Sequence, residues 1–190
     1  MARITHQFKC IVAALIAAVG ISLPALAAAQ SDQARINDLL AQLTQAEGVQ
    51  AERIAAELQN EWAKSGSPAM DLLLRRGQDA LEAGDPVTAA EHFTAAIDHA
   101  PDFAEAYARR AAAYYQSGLM GPALDDLRQA LVLNPDNFIA LRGFGVLLEE
   151  MGREADALEV LKRVQAAYPA DPDTAEAVRR LGIALEGQTL

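Results

Sequence analysis

One interval recurs along this chain and restricts what it can fold into. Gly84, Gly118 and Gly152 are 34 residues apart, as are Pro101, Pro135 and Pro169, and as are Ala89, Ala123 and Ala157. Three residue types keeping one spacing over three copies describe a single supersecondary unit repeated in series. Such a unit cannot bury its apolar face alone and stacks on its neighbours to build a continuous core.

Each fixed residue has a local reason. The glycines fall where a first helix ends and the backbone turns into the left-handed region, which costs glycine little. The prolines follow a second helix, where they stop it and stiffen the entry to the next unit. Asp102 and Asp136 stand beside the next helix start and are expected to cap its free amides. Small residues late in the first helix (Gly77, Ala111, Gly145) and in the second (Ala89, Ala123, Ala157) allow close approach. Leu73, Tyr107 and Leu141, then Phe93, Leu127 and Leu161, are the expected core fillers.

The blocks Leu73-x-x-x-Gly77-x-x-Ala80, Tyr107-x-x-x-Ala111-x-x-Tyr114 and Leu141-x-x-Phe144-Gly145-x-x-Leu148 resemble the W-x-x-L-G-x-x-Y half of the tetratricopeptide repeat (TPR). Ala89-x-x-x-Phe93-x-x-Ala96 and its two copies resemble the A-x-x-x-F-x-x-A half. The resemblance covers Met70 to Tyr168 and continues weakly to the C-terminus. Arg76 and Arg110 depart from it where Leu is preferred, and Val164 where Ala is preferred. It implies an all-α, right-handed helix-turn-helix solenoid with repeats at about 70–103, 104–137 and 138–171, and a binding function.

The resemblance also implies that first helices line a concave groove. Their residues pointing away from the second helices are Asp71, Leu74, Gln78 and Glu82, then Glu105, Ala108, Ala112, Tyr115 and Gln116, then Ile139, Arg142, Val146, Glu149 and Glu150. Tyr115 is the natural anchor, offering rigid apolar area with a polar tip, and Arg142 is the one clear cation. Each of these taken alone also reads as part of a solvated helix face. The expectation is that Tyr115→Ala with Arg142→Glu abolishes partner capture and leaves thermal stability unchanged. The family's clamp for chaperone C-terminal carboxylates needs a Lys- and Asn-rich groove, and Leu74 and Gln78 stand in those places.

Two flanks extend the repeats. Asp171-Pro172-Asp173 begins a final helix expected to run to Glu186, with Val178, Leu181 and Leu185 on one stripe to cover the last repeat (172–186). Ahead of the repeats, the stripes Ile36, Leu39, Leu40, Leu43 and Ile54, Leu58, Trp62 indicate two helices in 32–64, with Gly48 between them and Ser65-Gly66-Ser67-Pro68 after. This segment (30–68 with its linker) reads as a degenerate fourth repeat, as a self-association hairpin, or as a disordered leader.

Residues 1–29 carry the layout of a secretory signal. Arg3 and Lys9 precede an apolar run, Cys10 to Leu23, that ends at Pro24 and a patch of small residues. Cleavage after Ala27 or Ala29 fits that order and gives a periplasmic or secreted protein. An uncleaved inner-membrane anchor and a buried core helix are the other readings. With the signal gone, fourteen basic residues face twenty-six acidic ones, a balance that repels nucleic acid and anionic lipid. The only cysteine, Cys10, leaves as well, so neither a disulfide nor a thiolate metal site is expected.

Catalytic sets are not evident. His92 and His99 are two helical turns apart, with Glu91, Asp98 and Asp102 nearby, and zinc requires three or four ligands converging at about 2 Å. No phosphate loop, H-E-x-x-H, C-x-x-C or G-x-S-x-G occurs. Ser65 and Ser67 have no evident base. Arg75-Arg76, Arg109-Arg110 and Arg179-Arg180 read as parts of solvated helix surfaces. The expectation is therefore a non-enzymatic module without cofactor or metal that binds a protein or peptide, with self-association as the alternative.

Overall fold

The computed structural model describes residues 32–188, so the signal-like segment 1–29 lies outside the described residues. Among these, nine helices and no strand occur. They are α1 (32–43), α2 (Gly48–Trp62), α3 (Pro68–Glu82), α4 (Pro86–His99), α5 (Ala104–Gln116), α6 (Met120–Leu133), α7 (Phe138–Glu150), α8 (Glu154–Ala167) and α9 (Pro172–Gln188). The chain divides into two compact units, Met1–Leu39 and Leu40–Leu190. The described part of the first is helical, with Gln33 Nε2 donating to Asn37 Oδ1 at 2.9 Å.

The 34-residue interval reappears as repeated backbone chemistry. Gly84, Gly118 and Gly152 adopt φ of 76°, 74° and 73°. Each allows the residue after it to donate its amide back to the preceding helix: Asp85 to the Ala80 carbonyl at 2.9 Å, Leu119 to Tyr114 at 2.8 Å and Arg153 to Leu148 at 2.8 Å. These bonds satisfy carbonyls that a helix end leaves open. At the ends of α4, α6 and α8, Ala100, Asn134 and Tyr168 leave the helical region, with φ of −138°, −138° and −135°. Each precedes a proline, whose ring clashes with a helical residue before it.

Capping falls one residue later than the sequence suggests. Asp102 and Asp136 are exposed, and the cap positions are Phe103 and Asn137. Asn137 accepts from the amides of Ile139 (3.1 Å) and Ala140 (3.0 Å), whereas Phe103 caps with no side-chain bond and is buried. The turn after each proline takes one more residue than the spacing alone reveals. At the start of α4, Asp85 accepts from the Thr88 amide at 3.1 Å, and the Thr88 hydrogen bonds hold its carboxyl below the usual range.

Helices pair as α3·α4, α5·α6 and α7·α8, and successive pairs stack through α4·α5 and α6·α7. Ala89, Ala123 and Ala157 are fully buried at the pair crossings. A Cβ at Gly77 would lie 2.4 Å from the Phe93 ring, and one at Gly145 would lie 2.8 Å from Leu161. The small residues are therefore obligatory partners of the large ones opposite. Leu73 and Tyr107 are only half-buried at the margin of the core, whereas Leu141 is inside it. Arg110 spans the α5–α6 pair, donating Nε and Nη2 to Asp126 at 2.7 and 2.8 Å and Nη1 to Thr94 at 3.1 Å. Its guanidinium also lies 5.7 Å from the Tyr107 ring centre and 5.6 Å from that of Tyr114.

The last helix covers the third repeat as its stripe suggests. Leu181 is buried in the cluster of α5–α8, Val178 packs against it, and Arg180 bonds to Glu149 of α7. That guanidinium, through its hydrogen bonds, holds the Glu149 carboxyl below the usual range.

The end of α2 makes one contact that a repeat stacked ahead of α3 would not make. A terminal repeat touches only the next one. Trp62, the last residue of α2, instead packs against Phe138 at the start of α7, with ring centres 5.2 Å apart. Phe138 in turn meets Tyr168 edge-on at 5.5 Å. The degenerate-repeat reading of 32–64 does not account for the Trp62–Phe138 contact, which ties the end of α2 to a site two repeats along the chain. The apolar stripe of α2 (Ala51, Ile54, Ala55, Leu58, Trp62) is already buried within the chain, so self-association through it would require its release.

Candidate functional site

The first helices α3, α5 and α7 follow one another along one face, and two depressions lie between them. The first has a volume of about 430 Å³ and is lined by Ala108, Ala111, Ala112 and Tyr115 of α5, Ile139, Ala140, Arg142, Gly143, Val146 and Leu147 of α7, Leu127, and Asp173 of α9. The second, about 420 Å³, is lined by Gln59 of α2, Gln78, Leu81 and Glu82 of α3, Glu105, Ala108, Arg109, Ala112 and Gln116 of α5, and Ile139. Alanines at 108 and 112 make both possible, because a larger side chain there would fill the space between neighbouring helices.

The two depressions differ in chemistry. The α5–α7 depression is apolar, with polar groups at its rim. Tyr115 is 37% exposed and Val146 39%, so both present surface to solvent. The Tyr115 hydroxyl donates to Glu150, and that bond to a carboxylate raises the phenol above its ordinary range. Arg142 Nη1 donates to Asp171 Oδ2 at 3.2 Å, and Asp171 also accepts from the Thr174 hydroxyl. The α3–α5 depression is polar. Glu105 is buried there, accepting from Arg109 Nε at 2.7 Å and from Asn137 Nδ2 at 3.2 Å. Arg109 also donates to Gln78, whose Nε2 donates to Glu82 at 2.8 Å. Buried charge is tolerable only with such partners, and no buried side-chain polar atom lacks one among the described residues.

Of the residues expected on this face, Ala108, Ala112, Tyr115, Ile139, Arg142 and Val146 come together around the apolar depression. Gln78, Glu82, Glu105 and Gln116 come together around the polar one. Glu149 and Glu150 lie outside both linings and are engaged by Arg180 and Tyr115. Three expectations need correction. Leu74 is 6% exposed and belongs to the core with Phe93 and Phe103, so it offers a partner nothing. Asp71 accepts from the Ser65 amide (2.8 Å) and hydroxyl (2.6 Å), so it holds the α2–α3 linker. Arg142 is not the sole cation of the face, since Arg109 lines it as well.

Arg109 and Gly143 were legible. They are one 34-residue step apart, and stepping that position along the chain places both on the lining face. Gln59 and Asp173 were not, because they come from helices outside the repeat pattern. Among the described residues, no group of three or more His, Cys, Asp or Glu side chains is placed to hold a metal, and no helix is long and apolar enough to cross a membrane.

Two tetratricopeptide-repeat family models match, over residues 80–125 and 121–172. A TPR repeat-containing protein of Rhizobium etli is 31% identical over 161 residues, 84% of this chain and 79% of that protein. DnaJ homolog subfamily C member 3 of Rattus norvegicus is 35% identical over 138 residues, 72% of this chain but only 27% of the rat protein. Among solved structures, the first TPR of Spaghetti bound to an HSP90 peptide superposes with a TM-score of 0.61 at 22% identity, over 63% of this chain and 95% of that one. The interval, the glycine turns, the small-to-large pairing of helices and these matches agree: the chain belongs to the tetratricopeptide-repeat family.

Proposed function

We propose that this protein is a protein–protein interaction module of the cell envelope, which takes a segment of its partner on the α3–α5–α7 face. The observation that carries the reading is the apolar depression between α5 and α7, with Tyr115 and Val146 open at its edge. A concave apolar site with a few polar groups at its rim suits a side chain delivered by a peptide. The HSP90 peptide bound by the Spaghetti domain supports the same use of this fold. The acid-rich composition favours a neutral or basic segment.

A photo-crosslinking residue at Tyr115, with a control at Gln129 on α6, tests it in the cell. Capture of one discrete protein from position 115 but not from 129 is expected. Capture at neither position, with the fold intact, removes the face from consideration. The companion variant needs revision, because Arg142→Glu would set a second carboxylate against buried Asp171 and loosen the start of α9. Tyr115→Ala with Val146→Asp avoids this. It is expected to lose capture while shifting thermal stability by no more than about 0.5 kcal/mol, as exposed substitutions generally do.

Export belongs to the same proposal. It rests on the positive, apolar and small-residue order of 1–29. The mass of the protein recovered from cells is expected to place the mature N-terminus at Ala28 or Gln30. A chain that keeps Met1 or begins at Ala2 would make the module a tethered one.

A further inference from the structure

The α3–α5–α7 face already holds a segment of its own chain. Trp62 packs on Phe138, Ala63 packs against the cluster containing Leu74 and Phe103, and Gln59 forms part of the wall of the polar depression. Phe138, on which Trp62 sits, itself meets Tyr168 at the end of α8 edge-on at 5.5 Å. The C-terminal end of α2 is therefore seated on this face, reaching from the α3–α5 cluster to the start of α7.

We infer that α2 is a displaceable internal ligand of this face, and that the partner segment displacing it is an amphipathic helix with aliphatic side chains at i and i+4 and a large aromatic at i+8. Ile54, Leu58 and Trp62 display that pattern, and all three are buried. The inference rests on the proposed use of the face for binding, and it names the chemistry of the bound element. An amphipathic helix in a groove is a recurrent recognition mode in which a few spaced anchors supply most of the energy.

The attachment of α2 fits a competitor rather than a fixed wall. The helix is joined to α3 by Ala63–Ser67, and Ser65 is latched by Asp71. A short tether of this kind raises the local concentration of α2 to the millimolar range, so modest intrinsic affinity keeps the face filled. A partner then binds with its affinity reduced by the fraction of chains in which α2 is seated. When α2 leaves, Phe138 and Tyr168 become available, and the polar depression loses its Gln59 wall and joins the apolar one through Ala108, Ala112 and Ile139, which line both.

The test uses the full chain and a fluorescent synthetic peptide of residues 48–64, which is α2 itself. Trp62→Ala in the protein removes the internal anchor, and this variant is expected to bind the peptide at least about tenfold more tightly than the wild type, as loss of a buried tryptophan contact implies. A control peptide carrying Trp62→Ala is expected to lose that gain. Hydrogen exchange in the variant is expected to quicken across α2 while α5–α8 stay protected. Equal binding of the peptide by both proteins overturns the inference. So does a joint loss of protection in α2 and α5–α8, which would make α2 inseparable from the fold. Neither result bears on crosslinking at Tyr115, so a discrete partner captured there would leave the binding module standing without its internal ligand.

Discussion

Phe93→Ala lowers the unfolding free energy by about 3–5 kcal/mol, the usual cost of emptying a fully buried aromatic site. Phe93 has no exposed surface and sits in the cluster of Leu74, Leu81, Ala89, Ile97 and Phe103. Its ring occupies the space that glycine leaves at position 77, where a Cβ would approach to 2.4 Å of the ring. Gly77→Ala alone therefore overpacks the α3–α4 crossing, at a cost of about 1–3 kcal/mol. The two substitutions are coupled: in the Phe93→Ala background the alanine at 77 meets a cavity and costs much less. Denaturant unfolding of the four proteins measures this directly. Additive losses would show that the ring and the glycine do not share one space.

Asp126→Ala is the second large effect, at about 2–4 kcal/mol, because it strands a largely covered guanidinium. Arg110 and Asp126 retain 16% and 10% of their side-chain exposure and share two hydrogen bonds. Two tyrosine rings flank the same guanidinium, which limits its escape to water. Replacing both residues, as Arg110→Met with Asp126→Ala, removes the unpaired charge and is expected to lose less than Asp126→Ala alone. Thermal unfolding of the three proteins decides this. A double variant less stable than the single one would mean that the pair contributes net stability in itself.

Arg110 shows how far a repeat pattern can be read. It stands where the family prefers leucine, and from the sequence it looked like half of an exposed dibasic pair. Its partner lies sixteen residues away on α6, at a phase that holds His92 in the repeat before and Val160 in the repeat after. An interaction present in one copy only leaves no periodic trace. The same limit applies to Asp71 and Leu74, which occupy groove phases but are taken up by the linker and the core.

What the sequence determined by itself is the local and periodic part of this protein. Glycine at 84, 118 and 152, proline at 101, 135 and 169, and small residues opposite large ones act through backbone sterics and contacts within a repeat or between neighbours. Those interactions recur at fixed offsets, so spacing reveals them. Tertiary structure alone decided where α2 goes. Its apolar stripe announced a buried helix but not the surface that buries it, and Trp62 meets Phe138 across 76 residues of chain. A non-local contact of that kind depends on the face that three stacked repeats create together, and it exists only once they have stacked.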